Sequence, residues 1–191
     1  MILLAAVAFG LLAGWGWSRW RRRPYRPPQL KSLWLVPAAF LPQLLGAYLP
    51  STHRFLPGGA EPAVLPLSLA AFLVFVWLNR GIPGMTILLV GLVLNLAVIS
   101  INGGWMPISP ATAAHLPGGN EAQGAALGSR FGQKDVLLLP EDTRLELLSD
   151  RFLLPGWLHL ATAFSLGDVF IAAGAFWLLA NPRAAQNQEV E

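Results

Sequence analysis

Charge is nearly absent from five apolar stretches of this chain, at residues 1–18, 33–50, 63–79, 85–102 and 157–180. A helix needs about 20 residues to cross a hydrocarbon core about 30 Å thick, and these runs reach or approach that length. A backbone in lipid must satisfy its own N–H and C=O groups, which predicts helices for all five. A membrane barrel would show alternating polarity, and none of the runs does. The predicted fold class is therefore an all-α membrane protein. It is a five-helix transmembrane bundle with an ordered extracytoplasmic cap formed by the long segment 103–156. Composition agrees, since 54% of residues are hydrophobic and 12% charged, whereas soluble domains carry about a quarter charged residues. A soluble globule and a disordered chain are both poor fits.

The net charge of +3 is local. Arg19, Arg21, Arg22, Arg23, Arg26 and Lys31 fall in one short stretch, and the remainder of the chain is mildly acidic. Beside an apolar run, such a cluster sets orientation and meets anionic headgroups, so no nucleic-acid partner is expected. The arginines come after the first apolar run, whereas a cleaved signal peptide carries its basic residues before it. This predicts an uncleaved first span with its N-terminus outside and a cytoplasmic loop at 19–32. Alternation then puts 51–62 outside, the turn 79–84 inside, 103–156 outside and the tail 181–191 in the cytoplasm. Trp15, Trp17, Trp20, Trp34, Trp77 and Trp177 fall near predicted cytoplasmic ends, and Trp105 and Trp157 near outer ends. The indole favours that boundary because its body is apolar and its N–H is polar.

The segment 103–156 divides into a turn at 102–107, a loop rich in small residues at 109–133, a short apolar run at Val136–Leu139, and an amphipathic helix predicted over Glu141–Ser149. Leu145, Leu147 and Leu148 are placed to pack on the bundle or dip into headgroups. Pro37, Pro42 and Pro66 lie inside predicted spans and are read as packing relief.

Asp168 is the most informative residue. It falls inside the fifth apolar run, where a carboxylate costs about 2.5–3.5 kcal/mol at the bilayer centre and must face the bundle or water. Ala161, Ser165, Asp168, Ala172 and Ala175 share one helical face. Either a proton-handling role or a structural hydrogen bond accounts for it. Asn95 interrupts the fourth run, with Gly91 and Asn102 on the same side, and is placed to donate to Asp168. Asn95, Asn102, Ser165 and Asp168 are the candidate binding residues. Asp150, eighteen positions before Asp168, would make a carboxylate pair in which one group serves as base and the other as acid. His53, His115 and His159 show no metal-ligand spacing and the chain has no cysteine, so no metal site or cofactor is predicted. Gly10-Leu-Leu-Ala-Gly14 is a small-xxx-small helix contact.

Asn102-Gly-Gly-Trp-Met-Pro-Ile-Ser109 and Phe164-Ser-Leu-Gly-Asp-Val-Phe-Ile-Ala-Ala-Gly174 resemble signatures of an uncharacterised bacterial family of polytopic membrane proteins. The resemblance spans most of the chain and implies no activity. The second stretch also resembles the last-helix motif of lipoprotein signal peptidase, an intramembrane aspartic protease. Phe164, Asp168, Ile171 and Gly174 match in register, and Ser165 and Gly167 replace an asparagine and an alanine. Asp150 stands where that family has its other aspartate, and Asn95 matches an asparagine in a Gly-x-x-x-Asn-Leu context. Departures are the missing arginine after that asparagine, the absent Asp-x-x-x-Lys feature in 33–50 and the longer outer insertion.

These readings leave two functions. One is a non-catalytic protein of the bacterial cytoplasmic membrane that binds a lipid, a peptide or a membrane-protein partner in a polar pocket around Asp168 and Asn95. The other is a hydrolase, acting for example on a lipopeptide, in which Asp150 and Asp168 activate water. A proton or ion relay would need several intramembrane ionisable groups, and Asp168 stands alone.

Overall fold

The computed structural model describes residues 2–22, 24–48, 61–155 and 161–181, without the side chains of 45–48 and 123. His53, Trp157, His159 and the tail 182–191 lie outside these residues.

The chain is mostly helical. Its five longer helices are α1 (Ile2–Trp20), α2 (Leu35–Tyr48), α3 (Glu61–Leu78), α4 (Met85–Ile101) and α7 (Leu166–Ala180). Of these, α1 and α3 are long and apolar enough to cross a membrane, whereas α2, α4 and α7 are shorter apolar helices. Packing runs along one line: α7 lies between α1 and α4, and α3 lies between α4 and α2. Phe75 and Val76 of α3, Met85 and Leu92 of α4 and Leu178 of α7 form the main buried cluster. Pro42 and Pro66 lie within α2 and α3, while Pro37 sits in the first turn of α2.

Glycine sets the closest approach in the bundle. The two helices α4 and α7 run antiparallel, with Gly84 and Gly91 set against Gly174 and Gly167. A Cβ on Gly91 would lie 2.5 Å from the Gly167 carbonyl oxygen and 2.7 Å from the Ile171 nitrogen. Gly84, at φ 92°, also occupies a left-handed backbone that a side chain disfavours. On the other side of α7, Gly10 and Gly14 of α1 meet the backbone of Phe176 and Leu179. The predicted Gly10-xxx-Gly14 contact is therefore made, and its partner is α7. Small residues allow such approach, and dispersion between backbones replaces the hydrophobic effect where both surroundings are apolar.

The basic stretch is tied down at two points. Tyr25 Oη donates to the Leu179 carbonyl at the end of α7 (2.9 Å). Asn79, buried in the turn after α3, accepts from the Lys31 amide (2.7 Å) and donates to the Lys31 carbonyl (3.0 Å).

Residues 102–155 form an ordered cap that is not helical throughout, which corrects the all-α expectation. Strands β1 (Met106–Ile108), β2 (Arg130–Phe131) and β3 (Asp135–Leu137) make a sheet of order β1-β3-β2, with β1 and β3 parallel. Two short helices, α5 (Pro110–Ala113) and α6 (Gly119–Gly124), pack on it through Ala113 and Ala122. The helix predicted over Glu141–Ser149 is instead two 3-10 turns, Pro140–Asp142 and Glu146–Leu148. Between them Leu145 adopts a left-handed backbone, which no α-helix can accommodate. A second sheet pairs β4 (Phe152–Leu153) with β5 (Ala163–Phe164). The fifth helix therefore starts at Leu166 and not at 157, because Ala163–Phe164 is a strand and Ser165 is the N-cap of α7.

Gly91→Val should drive α4 from α7 and lower stability by about 1–3 kcal/mol or more. Gly16→Ala, whose Cβ would meet nothing within 4 Å, should stabilise by up to about 1 kcal/mol. Thermal unfolding in detergent, monitored by tryptophan fluorescence, separates the two.

Candidate functional site

The polar centre of the molecule begins at the N-terminus of α7. Ser165 Oγ accepts from the Asp168 amide (3.1 Å), and the Ser165 amide donates to Asp168 Oδ2 (3.2 Å). This reciprocal capping box satisfies two amides that a helix start leaves free, and it puts a carboxylate at the positive end of the helix dipole. Asn95 of α4 completes the knot. Its Nδ2 donates to Asp168 Oδ1 (2.9 Å) and its Oδ1 accepts from Ser165 Oγ (3.0 Å). Ser165 is 0% exposed and Asn95 is buried, so each bond replaces water that neither group can reach. Gly167 makes the knot fit, because a Cβ there would overlap Asn95 Oδ1.

Asp168 therefore lies in the first turn of α7, at the end of the helix and not at its middle. It is half-buried, and both carboxylate oxygens are engaged. The predicted Asn95–Asp168 bond is present, and Ser165 belongs to the same knot. Asn102 does not join it. It clamps the backbone of Arg144 instead, donating from Nδ2 to the carbonyl (2.8 Å) and accepting at Oδ1 from the amide (3.0 Å).

A second group sits against this knot, in the cap. Gly103 and Gly104, at φ 82° and 90°, turn the chain from α4 into β1. Met106 donates its amide to the Lys134 carbonyl (2.9 Å), and the register pairs Met106 with Asp135. Asp150 donates its amide to the Pro107 carbonyl (3.1 Å). Lys134, Asp135 and Asp150 are thus gathered around the start of β1. Lys134 Nζ bridges Asp135 Oδ1 (2.9 Å) and Asp150 Oδ2. Asp150 is 1% exposed, and its Oδ1 has no hydrogen-bond partner. Sequence reasoning missed Lys134 and Asp135. Their signal was adjacency of opposite charges ahead of a short apolar strand, which looks the same as a solvated loop pair.

The carboxyl of Asp150 is pushed up to about 6, chiefly by burial, with the charges of Asp135 and Asp168 adding and Lys134 opposing. Burial likewise raises Asp135. Loss of water works to lower Lys134, but the charges of Asp135, Asp150 and Asp168 outweigh it and the net direction is up. The lysine side chain remains 46% exposed, so water screens its pairs. Asp168 is the smallest of these influences, and its own bonds are made within the helix knot. Among the described residues, no three His, Asp or Glu side chains are placed to hold a metal ion. His115 bonds the Ala111 carbonyl within the cap.

A family model described as a family of unknown function, DUF5317, matches residues 28–180. The chain belongs to this family. No curated protein and no solved structure matches it. The span matched in this DUF5317 chain takes in α2, α3, α4, the cap and α7, and so every residue of the knot and of the charged cluster.

Ser165→Ala should cost about 1 kcal/mol through the lost cap, measured by thermal unfolding. Carbon-13 titration should place Asp150 near pH 6, and Lys134→Met should move it higher by removing the opposing charge. The folded carboxyl holds its proton more readily than the unfolded one. Stability should therefore fall as pH rises from the ordinary 3.8 through about 6, and stay at the lower level above. A midpoint near 4 would refute the burial argument.

Proposed function

We propose that this is a multi-pass protein of a bacterial cytoplasmic membrane, with α1–α4 and α7 as its five spans, its N-terminus outside and its C-terminus in the cytoplasm. Large apolar side chains stand exposed around all five helices, including Phe9, Leu41, Leu67, Val93 and Phe176. Ser18, Ser68, Asn79, Asn95 and Ser165 are buried. That inverts the usual distribution in water and suits a hydrocarbon surround. Arginines lie over aromatic rings at both ends: Arg19 on Trp15, Arg21 on Trp17 and Arg80 on Trp77, then Arg130 on Trp105 beside the cap. Such pairs suit the two headgroup levels. At 15 residues, α7 is only about 22 Å long. The strand Ala163–Phe164, paired with Phe152–Leu153, continues its apolar surface.

Within that frame, we infer a non-catalytic binding protein that receives a lipid, a peptide or a partner subunit at the junction of cap and helices. Asp150 carries this reading. Two carboxylates share one lysine there, and the more buried of them has an oxygen without a partner. A ligand that brings an ammonium, a guanidinium or another donor would neutralise the excess charge.

The resemblance to lipoprotein signal peptidase keeps a second reading, an aspartyl hydrolase using Asp150 and Asp168. The charge of Asp168, which adds to the raising of Asp150, is what supports it. Against it, both oxygens of Asp168 are committed to Asn95 and Ser165, and one oxygen of Asp150 to Lys134, which leaves only Asp150 Oδ1 open to a water.

Purification from native membrane in mild detergent, with mass spectrometry of the product, distinguishes the readings. The binding reading expects a stoichiometric companion that Asp150→Asn loses while thermal stability is retained. The hydrolase reading expects lipopeptide cleavage that Asp150→Asn and Asp168→Asn each abolish. A bare monomer without turnover defeats both.

A further inference from the structure

The turn Arg144–Leu147 carries the second feature that the fold leaves unexplained. Leu145 holds φ 55° and ψ 45°, a conformation that glycine or asparagine adopts with far less strain. Contacts on both sides of it in the chain enforce it. The Arg144 amide and carbonyl are clamped by Asn102, and the Leu148 amide donates to the Leu145 carbonyl (2.8 Å). Leu148 turns inward and packs against Val98 and Ile99 of α4 and Met106. Leu145 and Leu147 turn outward, 48% and 66% exposed. The packing of Leu148 accounts for the turn, but among the described residues it does not account for two large leucines displayed to the outside.

Position decides what they meet. Asn102 closes α4, and Ile101 just before it is exposed among the apolar residues of that helix. The turn Glu146–Leu148 lies against α4 and α7. The two leucines therefore continue the apolar helix surface at the outer end of the bundle. Arg144 is exposed beside them, and Arg151, paired with Glu146, lies over the ring of Phe152. Apolar tips flanked by arginines match the boundary between acyl chains and lipid phosphates.

We infer that the Arg144–Leu147 turn is a membrane-dipping anchor: Leu145 and Leu147 enter the outer leaflet, and Arg144 meets its phosphates. Asn102 is a positioning residue that sets the depth of the turn. This rests on the reading of α4 as a membrane span. The anchor would hold the cap against the bilayer and orient the charged junction behind it toward the headgroup layer.

The chain has no cysteine, so single cysteines report one position each. Leu145→Cys and Leu147→Cys, labelled with an environment-sensitive fluorophore, are reconstituted as full-length protein in phosphatidylethanolamine and phosphatidylglycerol vesicles. Parallel vesicle preparations contain phospholipid spin-labelled at a shallow or at a deep acyl position. Val93→Cys on α4 reports the span itself, and Glu141→Cys reports the exposed face of the cap. Labels at 145 and 147 should lose much of their emission to the shallow quencher, and position 93 to the deep one, while position 141 is spared by both. Asn102→Ala should reduce quenching at 145. Quenching at 93 but not at 145 and 147 would overturn the anchor and leave the span intact. Blue-shifted but unquenched labels at 145 and 147 would mean that protein covers them, which also overturns it. No quenching at 93 would remove the membrane reading on which the anchor stands.

Discussion

The antiparallel contact of α4 with α7 is the constraint on which the rest of the structure depends. Two glycines on each side of the contact bring the backbones together, and that approach carries Asn95 onto Ser165 and Asp168. The geometry and the chemistry are inseparable. Gly167 leaves the space that Asn95 fills, and the bonds of Asn95 satisfy polar groups that the close approach has stripped of water. In a medium of low dielectric an unmade bond of this kind is expensive. The knot therefore fixes the rotation and depth of α7 against α4, where apolar contacts alone would allow sliding.

The cap is built outward from the same place. The glycine turn after α4 delivers β1, β1 pairs with β3, and the register draws Lys134 and Asp135 to Asp150. Asn102, one residue beyond α4, holds the Arg144 turn from the other side. One helix end thus sets both the charged junction and the outward-facing leucines. The junction carries more acid than base, close to a helix N-terminus that tolerates it.

Several parts of this were legible in the residues. The apolar stretches mark all five longer helices, because hydrophobicity is a property of composition and survives any rearrangement of partners. Asn95, Ser165 and Asp168 stand out because polar groups in apolar surroundings must find one another. The Gly10-xxx-Gly14 contact is equally readable as a short spacing on one helix. The seven-residue spacing that Gly84–Gly91 shares with Gly167–Gly174 is present too, but its meaning depends on two helices that are distant in the chain lying antiparallel.

What stayed hidden was everything decided by long-range pairing. Nothing near residue 160 separates an apolar strand from the first turns of an apolar helix, so hydropathy alone makes α7 too long and sets Asp168 too far from the helix start. Glu141–Ser149 has helical spacing, yet the clamp from Asn102 and the inward pull on Leu148 break it at Leu145. Nothing in their neighbourhood in the chain links Lys134 and Asp135 to Asp150 until β1 and β3 pair and bring the three together. Hydropathy and local capping are properties of neighbouring residues, and the sequence by itself determined those. Which strand pairs with which, and which carboxyl group loses its water, depends on contacts between distant segments, and only the tertiary structure decided them.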